Sequence, residues 1–239
     1  MEIDIQGVTH SYGKVTALSD VSLTLNSGFN ILLGPNGAGK SSLFALLTGL
    51  ERIGQGSIYF NGCTIVQNRA SIMKRLGVVF QQNTLDIDLT VKQNLSYFAS
   101  LHGLNPIESI SRIHTLLSEL DLSDRLDTKV RSLNGGHRRR VELARCLIHQ
   151  PTALLLDEPT VGLDVASRRL IHSVVHDLAL KQGVTVLWAT HLFEEVYSKD
   201  PLSILLNGQL IEHDICSALL GKHHVENVNQ LWDVLIYAN

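Results

Sequence analysis

A glycine-rich stretch between two apolar runs constrains the fold of this chain more than any other feature. Residues 29–33 are typical of a short strand and residues 42–50 of a helix, and between them lie Gly34, Pro35, Asn36, Gly37, Ala38, Gly39, Lys40 and Ser41. The glycines leave backbone N–H groups free to close around phosphate oxygens, because no Cβ blocks the approach. Lys40 would reach the β- and γ-phosphates, the Ser41 hydroxyl would ligate Mg²⁺, and the helix N-terminus would face the anion. The stretch therefore predicts a phosphate-binding loop that holds a nucleoside triphosphate.

A second apolar stretch is followed directly by two neighbouring carboxylates. Residues 153–156 are apolar and are followed by Asp157 and Glu158. Four apolar residues are typical of a central strand, and parallel sheets bind their ligands at the C-terminal ends of such strands. We expect Asp157 to hold Mg²⁺ through its water shell and Glu158 to accept a proton from an attacking water. The string is weak evidence by itself and strong evidence beside a phosphate-binding loop.

The order of strand and helix patterns predicts an α/β core that is interrupted by helices. Alternating apolar residues indicate strands in the first third of the chain, and residues 57–60 and 76–80 continue this pattern. Helical patterns replace them from about residue 91 to 150, where Asn105, Pro106 and Glu108 form a helix start with an N-cap, a proline and an acid. Strand patterns return at residues 153–157 and 184–189, with a hairpin around Asn207 and Gly208.

Composition excludes several classes of protein. The chain has 239 residues, of which 44% are hydrophobic and 18% charged, and its net charge is −3. These values are typical of a globular protein with no overall attraction to nucleic acid or anionic lipid. No apolar run reaches the roughly 18 residues of a membrane span, and the first residues are unlike a signal peptide. We therefore expect any membrane role to come through a partner. The scattered cysteines, Cys63, Cys146 and Cys216, predict reduced thiols rather than disulfides or a metal site.

Three consecutive arginines raise the alternative of nucleic-acid binding. Arg138, Arg139 and Arg140 precede a helix whose apolar positions form one packed face. On that pattern the arginines fall largely on exposed positions. We expect no nucleic-acid partner.

Just before these arginines the chain reads Leu133, Asn134, Gly135, Gly136 and His137. This stretch resembles the Leu-Ser-Gly-Gly-Gln signature of ATP-binding cassette (ABC) ATPases, and the resemblance extends from Tyr12 to about Gly208. It implies an α/β fold: a P-loop NTPase core, with a RecA-like parallel sheet and an antiparallel β subdomain, plus an inserted α-helical subdomain. The implied ABC ATPase domain spans residues 1–215, with core residues 1–82 and 151–215 and the helical subdomain at about 83–150. A short helical tail follows at residues 216–239.

The resemblance also implies a role for individual residues. Tyr12 would stack on adenine, Gln81 would sense the γ-phosphate and Mg²⁺ (with Gln82 as a rival), Asp164 would lie in a loop that crosses a dimer interface, and His191 would contact the γ-phosphate. The implied catalytic residues are Lys40, Gln81, Glu158 and His191, and the implied metal ligands are Ser41, Gln81 and Asp157. The implied ATP contacts are Tyr12, the loop residues Gly34 to Ser41, Ser42, the signature residues Asn134, Gly135, Gly136 and His137, and Asp164.

Two residues of the signature depart from the family pattern. Asn134 replaces the usual Ser, and His137 replaces Gln. Asn caps a helix as well as Ser does, so the helix start should survive. Because Asn is longer, two outcomes are open, a tolerated variation and a weakened ATP site.

The implied function is that of an ATP-hydrolysing subunit of an ABC transporter, with ATP and Mg²⁺ as cofactors. Residues 89–95, 97–98 and 101–104, with the arginines after the signature, resemble export-type (ABC-2) cassettes of drug-resistance and sodium-extrusion systems. Two copies would form a homodimer that drives a separate transmembrane permease, at the cytoplasmic face of the cell membrane. The alternatives are a soluble ABC-type ATPase acting on DNA or ribosomes, and a regulatory subunit that hydrolyses ATP weakly.

The segment after Gln81 offers a candidate contact with such a permease. Leu85, Ile87 and Leu89 alternate with Asp86 and Asp88. Apolar side chains on a loop indicate either a partner's surface or packing beneath the helical subdomain, and the pattern does not separate the two.

Overall fold

In a computed structural model that describes residues 1–237, the chain divides into two units. The first contains Met1–Arg69 and the chain from Leu187 onward, and the second contains Ala70–Val186. In chain order, the strands and α-helices of the described part are β1 Ile3–Tyr12, β2 Val15–Leu25, β3 Gly28–Leu33, α1 Lys40–Leu47, β4 Gln55–Phe60, β5 Cys63–Thr64, α2 Ile65–Met73, β6 Leu76–Val79, α3 Val91–Leu101, α4 Pro106–Glu119, α5 Gly135–Leu147, β7 Ala153–Asp157, α6 Val165–Gln182, β8 Thr185–Thr190, β9 Pro201–Leu206, β10 Gln209–Ile215, α7 Cys216–Lys222 and α8 Val228–Tyr237.

An antiparallel sheet forms one layer of the first unit, in the order β2-β1-β4-β5. Ile3 pairs with Leu25 and Ile5 with Leu23, and all four side chains are buried. Alternation puts every second residue on one face of a strand, so these residues share the covered face. The predicted antiparallel β subdomain is confirmed.

A second layer of the first unit contains a parallel pair. The apolar strand β3 runs parallel to β9, and β9 turns back into β10 through Asn207 and Gly208. Both turn residues have positive φ, at 50° and 78°, which the tight hairpin turn requires. The predicted hairpin is confirmed. β8 begins in the second unit and ends in the first, where it lies beside β3.

The second unit joins a parallel strand pair to a set of helices. β6 and β7 run parallel, with Leu76 opposite Ala153 and Val79 opposite Leu156. Ile113 and Leu117 of α4 are buried, and so is Val141 of α5. The predicted helix start is present, because Asn105 Oδ1 accepts a hydrogen bond from Glu108 N at 2.9 Å and Pro106 occupies the first turn.

The first helix differs from its predicted bounds. It covers Lys40–Leu47 rather than residues 42–50. Gly39, at φ 106°, turns the chain directly into the helix, and Gly49, at φ 65°, turns the chain out of it, with Leu50 N donating to Ala45 O at 2.9 Å. The sequence patterns did not predict α2, which is kinked at Asn68. Within residues 1–237, no helix combines the length and apolar character needed to cross a bilayer.

Candidate functional site

The phosphate-binding loop of the first unit follows β3 directly. Gly34 N donates to Thr190 O at the end of β8 (3.2 Å), and Ala38 N donates to Pro35 O (3.2 Å) within the loop. Gly37 and Gly39 have φ values of 83° and 106°, a region that side-chain-bearing residues rarely adopt. The loop thus turns sharply from the end of a parallel strand into α1, as the sequence predicts.

Two of the glycines are required by close backbone neighbours. A Cβ at Gly34 would lie 2.5 Å from Leu205 O, and a Cβ at Gly39 would lie 2.6 Å from Ala17 O. Gly37 is different, since a Cβ there would meet nothing within 4 Å. The absence of a side chain at Gly34 and Gly39 therefore allows the loop to pack closely against β9 and β2. Gly37 borders open space through which a ligand can approach.

Lys40 supplies a positive charge inside the loop. Its side chain is only 4% exposed, and Nζ donates to Gly34 O at 2.6 Å and to Pro35 O at 3.0 Å. An ammonium group held by the loop, beside backbone amides at a helix N-terminus, is a donor set that suits a polyphosphate. The residues of the loop fit the nucleotide that the sequence predicts there.

A small cavity of about 220 Å³ opens on this loop. His191 lies on its wall, so the structure brings this predicted residue together with the loop. The lining residues are Leu33, Gly34, Pro35, Asn36, His191, Phe193 and Trp232. Phe193 and Trp232, whose ring centroids lie 5.6 Å apart, could not be predicted from the sequence, because no local spacing links the tail helix α8 to the loop.

Tyr12 does not line that cavity. It ends β1 with 48% of its surface exposed, and its ring meets that of His10 edge-on at 4.7 Å between centroids. An exposed aromatic face is compatible with stacking on a base.

In the second unit, the two carboxylates lie where β7 ends. Asp157 is the last residue of the strand, and Glu158 follows with a positive φ of 49°. The two residues are only 3% and 5% exposed. Gln81 Nε2 donates to Glu158 Oε2 at 3.0 Å, so the predicted sensor and the predicted base are in direct contact.

The signature residues begin helix α5. Asn134 is its N-cap, and Asn134 Oδ1 accepts from His137 N at 2.7 Å. The helix start therefore survives the replacement of Ser, as expected. Burial, with the positive charges of Arg140 and Arg125 as further causes, lowers the pKa of His137. This shift favours a neutral imidazole at neutral pH.

Gly136 fits closely against the loop that carries Asp164. A Cβ at Gly136 would lie 2.4 Å from Ser167 Oγ and 3.3 Å from Asp164 Oδ2. Asp164 in turn caps α6, since Oδ1 accepts from Ser167 N (2.9 Å) and Oδ2 from Ser167 Oγ (2.8 Å). These hydrogen bonds lower the pKa of Asp164. The signature and the Asp164 loop thus form one packed corner.

The expected exposure of the arginines is wrong for two of them. Arg140 is buried, and Arg139 has only 10% of its side chain exposed. Arg140 Nη1 donates to the carbonyl oxygens of Leu120 (3.0 Å) and Asp121 (3.1 Å) where α4 ends. Backbone carbonyls and one carboxylate each, Glu142 for Arg139 and Asp121 for Arg140, compensate for this burial. Hydrophobic periodicity does not register such hydrogen bonds.

Comparisons with known proteins identify the family of this chain. A family model described as ABC transporter matches residues 18–161. The linearmycin resistance ATP-binding protein LnrL of Bacillus subtilis is 34% identical over 225 residues, covering 92% of this chain and 72% of that protein. The Nod factor export ATP-binding protein I of Ralstonia nicotianae is 36% identical over 230 residues, covering 94% and 71%.

A solved structure extends the likeness to three dimensions. The dimeric structure of MJ0796, a bacterial ABC transporter cassette, matches with a TM-score of 0.83 at 25% identity, covering 90% of this chain and 98% of that one. The family match spans more than half of the chain and includes both the phosphate-binding loop and the Asp157–Glu158 pair. The chain therefore belongs to the ABC transporter family, and its α/β fold is that of the family's ATP-binding cassettes.

Proposed function

We propose that this chain is the ATP-hydrolysing subunit of an ABC exporter, and that it acts as a head-to-tail homodimer on a separate membrane permease. The observation that carries the proposal is the buried Glu158 carboxylate at the end of β7, held by Gln81 Nε2 at 3.0 Å. A base that must take a proton from water needs a fixed orientation. The hydrogen bond from Gln81 supplies one.

Each predicted residue then has a specific task. Mg²⁺ would neutralise charge on the phosphates when bound, and Ser41, Gln81 and Asp157 are the residues that we propose would hold it, directly or through its water shell. Lys40 and the loop amides hold the β- and γ-phosphates, and Glu158 accepts the proton of the attacking water. His191 lies on the cavity wall beside the loop, where it would contact the γ-phosphate.

The exposed surface of the signature supports dimer formation. Asn134 and Gly135 are exposed at the start of α5, as is Gly162 in the Asp164 loop. Backbone amides at a helix start form an anion site, and here the anion would be the γ-phosphate of ATP held by the second copy. MJ0796, a relative in fold, is dimeric.

The proposed role in export, and with it the proposed attachment to a membrane permease, is argued from the relatives of this chain. One relative is a Nod factor export ATP-binding protein, and LnrL is a linearmycin resistance ATP-binding protein. We place this chain at the inner face of the cell membrane, bound to its permease. These relatives favour a transporter subunit over an ATPase that acts on DNA or ribosomes.

The variant Glu158→Gln tests the proposal. It should retain ATP binding and lose about 10²-fold or more in turnover, because it removes the base and leaves the phosphate contacts intact. Closed dimers should accumulate with Mg-ATP. Phosphate release and size-exclusion mass are the measurements, and Glu119→Gln, an exposed position on α4, is the control.

The outcomes separate the remaining possibilities. Turnover at the wild-type rate in Glu158→Gln would refute the base assignment. Negligible turnover in the wild type, with normal ATP binding, would instead indicate a regulatory subunit.

A further inference from the structure

Arg139 uses its whole guanidinium group at the end of β7. Nε donates to Pro159 O (2.8 Å), Nη1 to Phe80 O (2.6 Å) and Glu142 Oε2 (2.8 Å), and Nη2 to the carbonyl oxygens of Asp157 (3.1 Å) and Glu158 (3.0 Å). Arginine has five N–H donors in a rigid fork. Each of them has an acceptor here.

Four of these acceptors are backbone oxygens of the two segments that carry the reacting side chains. Phe80 directly precedes Gln81, and Asp157, Glu158 and Pro159 are consecutive. Glu158 has a left-handed backbone, which residues with a side chain rarely adopt. A single cation bonded to both of its neighbouring carbonyls and to its own keeps the chain in this conformation. It thereby fixes the direction of the Glu158 side chain.

The same face of α5 also holds the segment after Gln81. Glu142 is buried and accepts from Thr84 N at 2.8 Å, and Arg145 Nη1 donates to Thr84 O at 3.0 Å. The Arg145 guanidinium lies 4.4 Å from the centre of the Phe98 ring. Arg139, Glu142 and Arg145 are spaced by three residues, so they share one face of the helix.

From this geometry we infer that Arg139 is a positioning residue for ATP hydrolysis. It holds the Glu158 carboxylate against Gln81 Nε2 through the backbone of both segments. The inference rests on the proposed role of Glu158 as the base. The signature forms the start of α5, the helix that carries Arg139. The Arg139 side chain therefore connects the proposed anion site at the start of α5 with Glu158 of the same chain.

Arg139→Lys is the informative variant. Lysine keeps the charge but has three donors on a single nitrogen and no fork, so it cannot satisfy the five acceptors. The kcat for phosphate release should fall about ten- to a hundred-fold, as expected for a misplaced catalytic group. The Kd for ATP should not change, because the phosphate-binding loop is intact.

The matched control is Arg140→Lys. Arg140 is the adjacent buried arginine, and it donates to Leu120 and Asp121 carbonyls at the end of α4 instead. Its variant should keep the wild-type kcat, even where its thermal stability falls as much as that of Arg139→Lys. Equal losses of kcat in the two variants would overturn the inference.

A double-mutant cycle separates positioning from general damage. In the Glu158→Gln background, Arg139→Lys should cause little further loss of single-turnover rate, because the carboxylate that Arg139 positions is already absent. The same fold-loss in both backgrounds would refute the inference. If Glu158→Gln itself hydrolyses ATP normally, the proposed function fails instead, and the two failures are thus distinguished.

A second variant covers the case in which Arg139→Lys does not fold. Glu142→Gln retains an oxygen acceptor for Thr84 N but weakens the ion pair with Arg139. It should lower kcat in the same direction by a smaller factor, again with an unchanged Kd for ATP. A wild-type kcat in this folded variant would count against the inference.

Discussion

Asn134 is one of the two residues at which the signature departs from its family pattern. Its side chain caps α5 through the hydrogen bond from His137 N. Since Ser caps a helix equally well, we predict that Asn134→Ser changes the hydrolysis rate less than about tenfold, or about 1.4 kcal/mol of barrier. Phosphate release measures the effect.

A second cap in the same unit provides the control. Asn105→Ser alters the N-cap of α4, which has the same geometry, with Asn105 Oδ1 accepting from Glu108 N at 2.9 Å. It should leave hydrolysis unchanged. A gain in rate far beyond tenfold for Asn134→Ser alone would show that the natural residue weakens the site, and would favour a regulatory subunit.

Single site residues could be predicted from the sequence where their chemistry is local. Lys40 follows a glycine loop, and the Asp157–Glu158 pair follows an apolar strand, so neighbours in the chain carry the signal. Arg139 and Trp232 were missed because their partners are far away in sequence: the carbonyl of Phe80 for one and the ring of Phe193 for the other. The roles assigned to the site residues remain predictions.

Between α3 and the end of α5, two histidine rings stack. The centroids of His102 and His149 are 3.8 Å apart with 8° between the planes, and His149 Nε2 lies 3.2 Å from Leu76 O. Burial first, and then the nearby His102, lowers the pKa of His149 to about 4. The folded protein therefore keeps this ring neutral at pH values where the unfolded chain already protonates it.

This contact predicts a pH dependence of stability. Because the pKa of His149 is lower in the folded state, its contribution is full above about pH 6.5 and is lost as the pH falls toward about 4. His149→Gln should reduce the loss of unfolding free energy across this window. Between the wild type and His149→Gln, the slope of unfolding free energy against pH should differ by less than about 1.4 kcal/mol per pH unit, since the ring is partly solvated.

Urea unfolding at a series of pH values measures that slope. His114→Gln, at an exposed position on α4, is the control and should follow the wild type. Identical slopes for His149→Gln and the wild type would contradict the prediction.

Elements were predicted best where a cap marks their ends. The start of α4 is correct because Asn, Pro and Glu each favour it, whereas α1 begins two residues earlier than predicted because Gly39 turns the chain directly into the helix. The short helix α2 has no such signals and was missed. Its kink at Asn68 interrupts the periodicity by which a helix is recognised.

For the whole molecule, the central question is how the chain contacts its proposed permease. The structure separates the three apolar residues after Gln81: Leu85 is buried (7% exposed), Ile87 is half-exposed (50%) and Leu89 is intermediate. Ile87 lies on an ordered backbone, because Arg131 N donates to Ile87 O at 3.0 Å. Leu85 is thus a core residue, and Ile87 remains the candidate for the partner's surface.

We predict that Ile87→Glu detaches the chain from membranes or uncouples transport, with basal ATP hydrolysis in solution unchanged. A charge on an exposed side chain costs little in the isolated chain and much in an apolar interface. Leu180→Glu, an exposed position on α6, should affect neither property. Joint loss of folding and ATP binding in Ile87→Glu would show that Ile87 is a core residue.

For the whole molecule, the sequence predicted which kinds of sheet and helical segment are present better than it predicted where each element packs. An antiparallel sheet, parallel strands and a helical stretch were all expected and are present. The proposed helical subdomain at about residues 83–150 stays a prediction. The position of α8 could not be predicted, because an amphipathic helix specifies only that one face is covered.

The cavity beside the phosphate-binding loop has a practical consequence. The chain contains two tryptophans. Trp188 is fully buried, with Nε1 donating to Glu195 Oε2 at 2.9 Å, whereas Trp232 is half-buried and lines the cavity with Asn36 and His191. Indole fluorescence depends on the polarity around the ring, so Trp188 should give a constant background while Trp232 responds to charge that arrives at the loop. The fold thus carries its own optical probe, and nucleotide arrival can be followed in real time without an attached dye.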